Sequence, residues 1–342
     1  MKDRQDFERF PRGHAGLIRL NGWGSRWLVG AILCMTAVLL APKVQAVEDS
    51  RTPAPEVLNI GYQKSSTLIS VLKARGTLDA ALKPLNVTIA WHEFASGLPL
   101  TEALNAGALD FSADIADTVP VFAQAAHGKF IYVAQEAPSP AAQAILVHPD
   151  SPIHTLADLK GKTIAVTRAA GSQYLLLAAL DRAHLKTADV KIAYLAPADG
   201  RAAFEQGGVD AWVTWDPYVA AIQSQSKVRV LTDGTGLASY QRYYLASSSY
   251  AARRPDVLKV VFDQLVQAGD WTRKHPHEAA ELLAPLWGLD VAATEAANAR
   301  RSYEVRLVTS SNFGEQQKIA DTFYAAGLLP APVDTQAASI WR

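Results

Sequence analysis

The sequence predicts an α/β protein of two lobes. Each lobe is expected to be a mostly parallel sheet flanked by helices, with a cleft and hinge between them. Short apolar strands alternate with helical segments through most of the chain, the pattern of βαβ units. About 300 residues follow an amino-terminal secretory segment, a length at which chains divide into lobes. The alternation is interrupted near residues 136–143 and 236–244 by turn-rich or polar stretches suited to crossings between lobes. The expected division is 47–140 for the first part of lobe 1, 141–240 for lobe 2, and 241–342 for the largely helical second part of lobe 1.

The start of the chain sets the compartment. Basic residues are scattered up to Arg26, an apolar run of 15 residues extends from position 27 to 41, and Val44 and Ala46 supply a small-residue cleavage site. Residues 1–46 therefore predict a cleaved secretory signal and export to the periplasm. The run is short for a membrane span of about 20 residues. Cys34 is the only cysteine and lies in this run, after a Leu33 too bulky for a good lipoprotein site. The mature chain then starts near Val47 without cysteine, which excludes disulfides, thiolate catalysis and cysteine metal sites. It carries 26 Lys/Arg against 30 Asp/Glu, a net charge of about −4, with no basic block. Nucleic acid has no electrostatic footprint to bind.

The elements follow in order. Residues 57–62 read as a strand, apolar at Val57, Leu58 and Ile60. Ser65 or Ser66 then caps an amphipathic helix through Arg75, closed by Gly76. Residues 87–93 alternate as a strand through Val87, Ile89 and Trp91. A short helix follows Gly97 and ends at Gly107. Residues 109–113 form a third strand, a helix starts at Asp117 or Thr118, and 130–135 form a fourth strand. Residues 144–148 open the second unit, with a helical turn at 155–159 and a strand at 163–166. Gly171-Ser172 opens a helix through Arg182 with leucines at 175, 176, 177 and 180. Residues 191–195 are a strand, and Pro197 starts a helix where its missing N–H does no harm. Strands at 212–215, 228–231 and 243–247 follow, and the chain from Pro255 is mostly helical.

The stretch Gly207-Gly208-Val209-Asp210-Ala211-Trp212-Val213-Thr214-Trp215-Asp216-Pro217-Tyr218 is the most pointed. Proline cannot continue the ladder, so the strand stops where an indole, a carboxylate and a phenol emerge. Aromatic bodies with polar tips at a strand's carboxyl end suit a small-molecule cleft. Trp212 is expected in the core and Trp215 in the site.

These residues carry a family resemblance. Gly61-Tyr62-Gln63-Lys64-Ser65, Glu93-Phe94 before Ser96-Gly97, and Phe122-Ala123-Gln124-Ala125-Ala126 resemble the aliphatic sulfonate-binding proteins of bacterial ABC transporters. So do Asp158-Leu159-Lys160-Gly161-Lys162, Pro197-Ala198-Asp199 through Phe204, and Val209 through Tyr218. The likeness spans nearly the whole mature chain. It implies a two-lobed periplasmic binding protein of type II, a monomer that closes on its ligand and delivers it to a membrane permease with a cytoplasmic ATPase. Three departures stand out: Ala116 where the family has glycine, an extra residue within 111–118, and Ala95 in place of a proline.

A sulfonate is a tetrahedral anion that stays charged, so it needs oriented donors and no proton partner. Helix N-termini supply unpaired N–H groups and partial positive charge. Candidate ligand-binding residues are Gln63, Lys64, Ser65, Ser66, Ser96, Gly97, Asp117, Thr118, Gly171, Ser172, Trp215, Asp216 and Tyr218. The hydroxyls add neutral donors or serve as ordinary caps. Lys64 is an ion-pair partner or a solvated lysine at a helix start. Arg168 and Arg201 are possible second cations, with Arg201 favoured for packing or solvent. Asp216 and Asp117 are read first as helix caps, since a carboxylate would repel the anion. No histidine belongs to this set, so affinity is expected to be flat from about pH 5.5 to 8.5.

Seven mature-chain histidines are scattered, and His275-Pro276-His277 reads as a solvated turn between helices. No cofactor, metal or catalytic motif is expected. An enzyme on this fold, resembling the pyrimidine-precursor synthases, would carry a cysteine-rich motif the mature chain lacks. The alternative within the fold is a binder of taurine, nitrate, a sulfate ester or another small anion.

Overall fold

A computed structural model describes residues 54–342, which lie in one compact unit. The expected signal segment, its cleavage site and Cys34 fall outside the described residues. Eleven strands form two sheets: β1 (Glu56–Gln63), β2 (Val87–Phe94), β3 (Phe111–Ala116), β4 (Phe130–Glu136), β5 (Gln143–Val147), β6 (Thr163–Val166), β7 (Lys191–Tyr194), β8 (Ala211–Trp215), β9 (Arg229–Asp233), β10 (Arg242–Ser247) and β11 (Val305–Leu307). Lobe 1 holds the order β11-β4-β10-β3-β1-β2, and lobe 2 holds β7-β6-β8-β5-β9.

Both sheets are mixed. β1 pairs in parallel with β2 and β3, and β6 in parallel with β7 and β8. These are the βαβ units that the alternation predicts. β10 is antiparallel to both β3 and β4, and β5 to both β8 and β9. The antiparallel members are the strands that enter or leave a crossing between lobes. The chain crosses once between β4 and β5 and returns between β9 and β10. A third contact comes from residues 300–304, where the Ser302 N–H donates to Ser139 Oγ at 3.1 Å on the first crossing.

Each lobe has its own core. In lobe 1, Leu58, Ile60, Leu68, Phe111 and Tyr244 pack with Val257, Val261 and Leu265. The last three lie on the helix Pro255–Lys274, whose buried Val257, Leu258, Val261, Leu265, Ala268 and Thr272 recur every three or four residues. Lobe 2 buries Ile145, Val147, Ile164, Val166, Leu175, Leu176 and Val213. Trp212 is core, as expected, packed with Phe204 and Val219.

The third strand starts two residues later than the sequence suggests and runs to Ala116. Leu109 is buried before the strand begins. Asp110 accepts the Asn59 N–H at 2.9 Å in that loop. Asp114 and Ser112, which look like surface or turn residues, are wholly buried within the strand. Among the described residues no helix is long and apolar enough to cross a membrane.

Gly269 lets the long helix Pro255–Lys274 approach the 300–304 segment. A Cβ there would press into the Tyr303 carbonyl oxygen. Gly269→Ala should therefore cost about 1–3 kcal/mol, the scale of overpacking. Urea unfolding of the variant checks this, and an unchanged midpoint would show that the helix can shift freely away from Tyr303.

Candidate functional site

The starts of four helices border one small cavity between the lobes. It is lined by Gln63 and Ser65 before the helix Thr67–Arg75, Gly97 of Gly97–Asn105, Ala116 and Val119 around Thr118–Ala125, and Ala170 and Gly171 at Gly171–Arg182. Trp215, Tyr240 and Arg242 complete it, and it has room for about one water. The first turn of each helix leaves N–H groups without intrahelical acceptors. The cavity therefore gathers donors from both lobes.

The lobes touch around it. Thr118 Oγ1 donates to the Ala169 carbonyl at 2.6 Å. The Tyr240 ring lies so near Gly171 that a Cβ there would be 2.6 Å from ring carbons. Ala169 sits at φ 58°, which shapes the turn into the helix, and its N–H donates to Gln173 Oε1 at 2.6 Å.

Five of the thirteen sequence candidates line this cavity: Gln63, Ser65, Gly97, Gly171 and Trp215. Ser172 is fully buried beside them with a hydroxyl that has no partner among the described residues. Trp215 is buried and meets Tyr218 edge-on, with ring centroids 5.7 Å apart. Tyr218 is half-buried, and burial and the charge of Glu93 push its phenol up. Glu93 thus lies close enough for its charge to act on Tyr218.

Other candidates are held elsewhere. Ser66 Oγ accepts the Gln63 N–H at 3.1 Å, so it shapes the turn after β1. Ser96 is half-buried at the N-cap position and makes no side-chain cap. Thr118 spends its hydroxyl on Ala169. Lys64 lies in a neighbouring lobe-1 pocket rather than in the cavity. Asp216 accepts the Ala220 N–H at 3.1 Å, the helix-start role expected for it. It is also clasped by Arg300, with Nε at 2.6 Å and Nη2 at 2.7 Å. That pairing joins lobe 2 to residues 300–304 and occupies the Asp216 carboxylate. Arg168 is exposed and stacks on Tyr194, 4.0 Å from its centroid. Arg201 pairs with Glu205 and Gln225 at 2.8 Å.

The cation at the cavity is Arg242, which the sequence reading missed. It is buried and bonded to Asp114, while its Nη2 donates to Tyr240 Oη at 2.9 Å. Arg301 joins the same cluster, donating to Asp114 at 3.0 Å, Glu136 at 2.6 Å and the Ser65 carbonyl at 2.9 Å. Two guanidiniums and two carboxylates thus meet beneath the cavity. The signal was present: an arginine directly before the apolar strand Tyr243-Tyr244-Leu245 cannot easily reach water.

Asp117, outside the cavity lining, bears on the expectation of a site without neutral titration. Its N–H donates to the Gln241 carbonyl at 2.9 Å, and the Gln241 N–H donates back to Oδ2 at 2.9 Å. Its Oδ1 is buried without a partner. Burial pushes the carboxyl up to about 7, against the pull of the Gln241 and Thr118 amides. The cause is desolvation, which no sequence motif displays.

The folded state thus holds the Asp117 proton more tightly than the unfolded chain, whose value is 3.8. This contribution to stability is full below about pH 4 and is lost as pH rises to about 7, on the order of 4 kcal/mol at 1.36 per unit. Asp117→Asn has no such slope. Urea unfolding should show the variant gaining on the wild type by about 2–3 kcal/mol between pH 5 and pH 8. Parallel curves would place the titration elsewhere.

Among the described residues no group of three or more His, Cys, Asp or Glu is placed to hold a metal. His275 and His277 are exposed, and His277 Nδ1 lies 2.6 Å from Glu295.

The family model described as NMT1/THI5 like matches residues 85–279. An aliphatic sulfonates-binding protein of Escherichia coli K12 is 40% identical over 290 residues, covering 84% of this chain and 90% of that protein. The crystal structure of the periplasmic aliphatic sulphonate binding protein SsuA from Escherichia coli matches with a TM-score of 0.76, covering 84% of this chain and 98% of that one at 40% identity. The alkanesulfonate-binding protein SsuA from Xanthomonas axonopodis pv. citri, bound to MOPS, matches at 0.78 with 36% identity, covering 82% and 97%. The chain belongs to the NMT1/THI5-like family and, within it, to the aliphatic sulfonate-binding proteins.

Proposed function

We propose that this protein captures alkanesulfonates in its interlobe cleft in the periplasm, as a monomer. It then delivers them to an ABC permease, with its cytoplasmic ATPase, for sulfur uptake. The observation that carries this reading is the convergence of four helix starts, Arg242 and Trp215 on one cavity. A sulfonate fits those groups because it needs donors on several sides and offers no proton. Ser172 Oγ and Arg242 Nε are buried donors without acceptors among the described residues. A bound oxyanion would satisfy such groups, whose unpaired burial otherwise costs about 1–3 kcal/mol each. The ion cluster beneath has two positive and two negative members, so the anion adds its charge over a balanced floor.

As it stands the cavity has room for about one water, so a bound headgroup requires the lobes to part slightly, and the carbon tail must run out past Trp215 and Tyr218. A competition thermal-shift panel of alkanesulfonates, taurine, nitrate and sulfate tests the ligand class. Alkanesulfonates should give the largest shifts, and a larger shift with nitrate or sulfate would reassign the cleft to a smaller anion.

Trp215→Ala should weaken alkanesulfonate binding by about 1–3 kcal/mol, the scale of burying a large apolar side chain. The loss should grow from methane- to octanesulfonate in titration calorimetry. A loss independent of chain length would make Trp215 a packing residue for closure and not a wall for the tail.

A further inference from the structure

A second pocket of about 290 Å³ opens beside the anion cavity, formed entirely by lobe 1. Tyr62 and Lys64 line it, while Gln63 between them lines the anion cavity. Successive strand side chains point to opposite faces, so the two spaces flank the end of β1. Glu93 also lines the pocket and acts on the Tyr218 phenol. A tail that leaves the cavity past Trp215 and Tyr218 runs toward Glu93, which lines this pocket.

Its polar groups divide into those already satisfied and those that are not. Lys73 Nζ donates to Tyr62 Oη at 2.8 Å and sits over the Tyr62 ring, 4.7 Å from its centroid. Tyr62 Oη donates to Glu93 Oε2 at 3.1 Å. The lone carboxylate therefore has a donor, and one ammonium is held on an aromatic face. Three donors are free among the described residues. Lys64 has no ion pair or side-chain hydrogen bond, the Ser70 hydroxyl makes no hydrogen bond, and the buried Trp287 has an indole N–H without a partner. The pocket is walled by aromatic and aliphatic carbon, and its one carboxylate already accepts from Tyr62.

We propose that this pocket is a tail subsite that favours sulfonates whose far end carries a carboxylate, held by Lys64, Ser70 and Trp287. The proposal rests on the sulfonate reading of the cleft and names the ligand class within it. A terminal ammonium would find only Glu93, which Tyr62 already occupies. A plain methyl end would leave the three donors unpaired.

The test is titration calorimetry with 6-sulfohexanoate and hexane-1-sulfonate, which share a chain and differ at its end. Wild type should bind 6-sulfohexanoate on the order of tenfold more tightly, the effect of one charge-assisted hydrogen bond. Lys64→Gln and Trp287→Phe should each bring the ratio toward one while leaving ethanesulfonate affinity unchanged. Trp287→Phe keeps the aromatic wall and removes only the N–H, so it separates hydrogen bonding from packing. Equal affinities in wild type, or a ratio that survives in the double variant, would overturn the subsite while leaving the sulfonate reading intact. Failure of ethanesulfonate to bind wild type would overturn the sulfonate reading itself, and the subsite with it.

Discussion

The architecture depends on one buried cluster of opposite charges. Asp114 on β3, Glu136 on β4, Arg242 on β10 and Arg301 on the returning segment meet with almost no access to water. Tyr244 Oη donates to Glu136 at 2.7 Å, and Arg301 also donates to Thr67 Oγ1 at 3.1 Å. Desolvating four ions is expensive, so the cluster is weak evidence for stability as such. Removing one member, however, strands a buried charge and costs about 3–5 kcal/mol. Its consequence is geometric. The cluster fixes where β10 lies between β3 and β4, and it holds the Ser65 carbonyl and Arg242 in place. Both are at the floor of the cavity.

Above that floor the two lobes contribute the same device from opposite sides. Each ends a strand, turns, and starts a helix towards the cleft. The fields of the helix starts add where the lobes meet, and closure removes the water that would screen them. Asp216, a carboxylate close to this region, is turned away and held by Arg300. Asp117 is buried near it, and burial raises its carboxyl well above the ordinary carboxylate range. One ion pair and one raised carboxyl therefore limit the free negative charge near the cavity.

Much of this was legible in the sequence. Gly76, Pro197 and Gly171-Ser172 marked helix ends and starts, and Pro217 marked the end of β8, because those residues act locally on backbone geometry. Trp212 and Trp215 were separated correctly into core and cavity by the polar residues beside the second. What was not legible depends on distant partners. Nothing local tells that Asp114 is buried under Arg242 and Arg301, 128 and 187 residues away in sequence. For the same reason Asp216 gave no sign of Arg300, and Lys64 gave no sign that it lines the neighbouring pocket and not the anion cavity. Charged residues read as surface until their partners are placed.

The central claim is that the cleft recognises a charged oxyanion through donors gathered from both lobes. The most direct measurement is calorimetric comparison of ethanesulfonate with ethanesulfonamide, which keeps the tetrahedral sulfur and loses the charge. The account predicts that the sulfonamide binds at least a hundredfold more weakly, about 2.7 kcal/mol. Comparable affinity for the two would contradict it, because shape and tail burial alone would then account for binding.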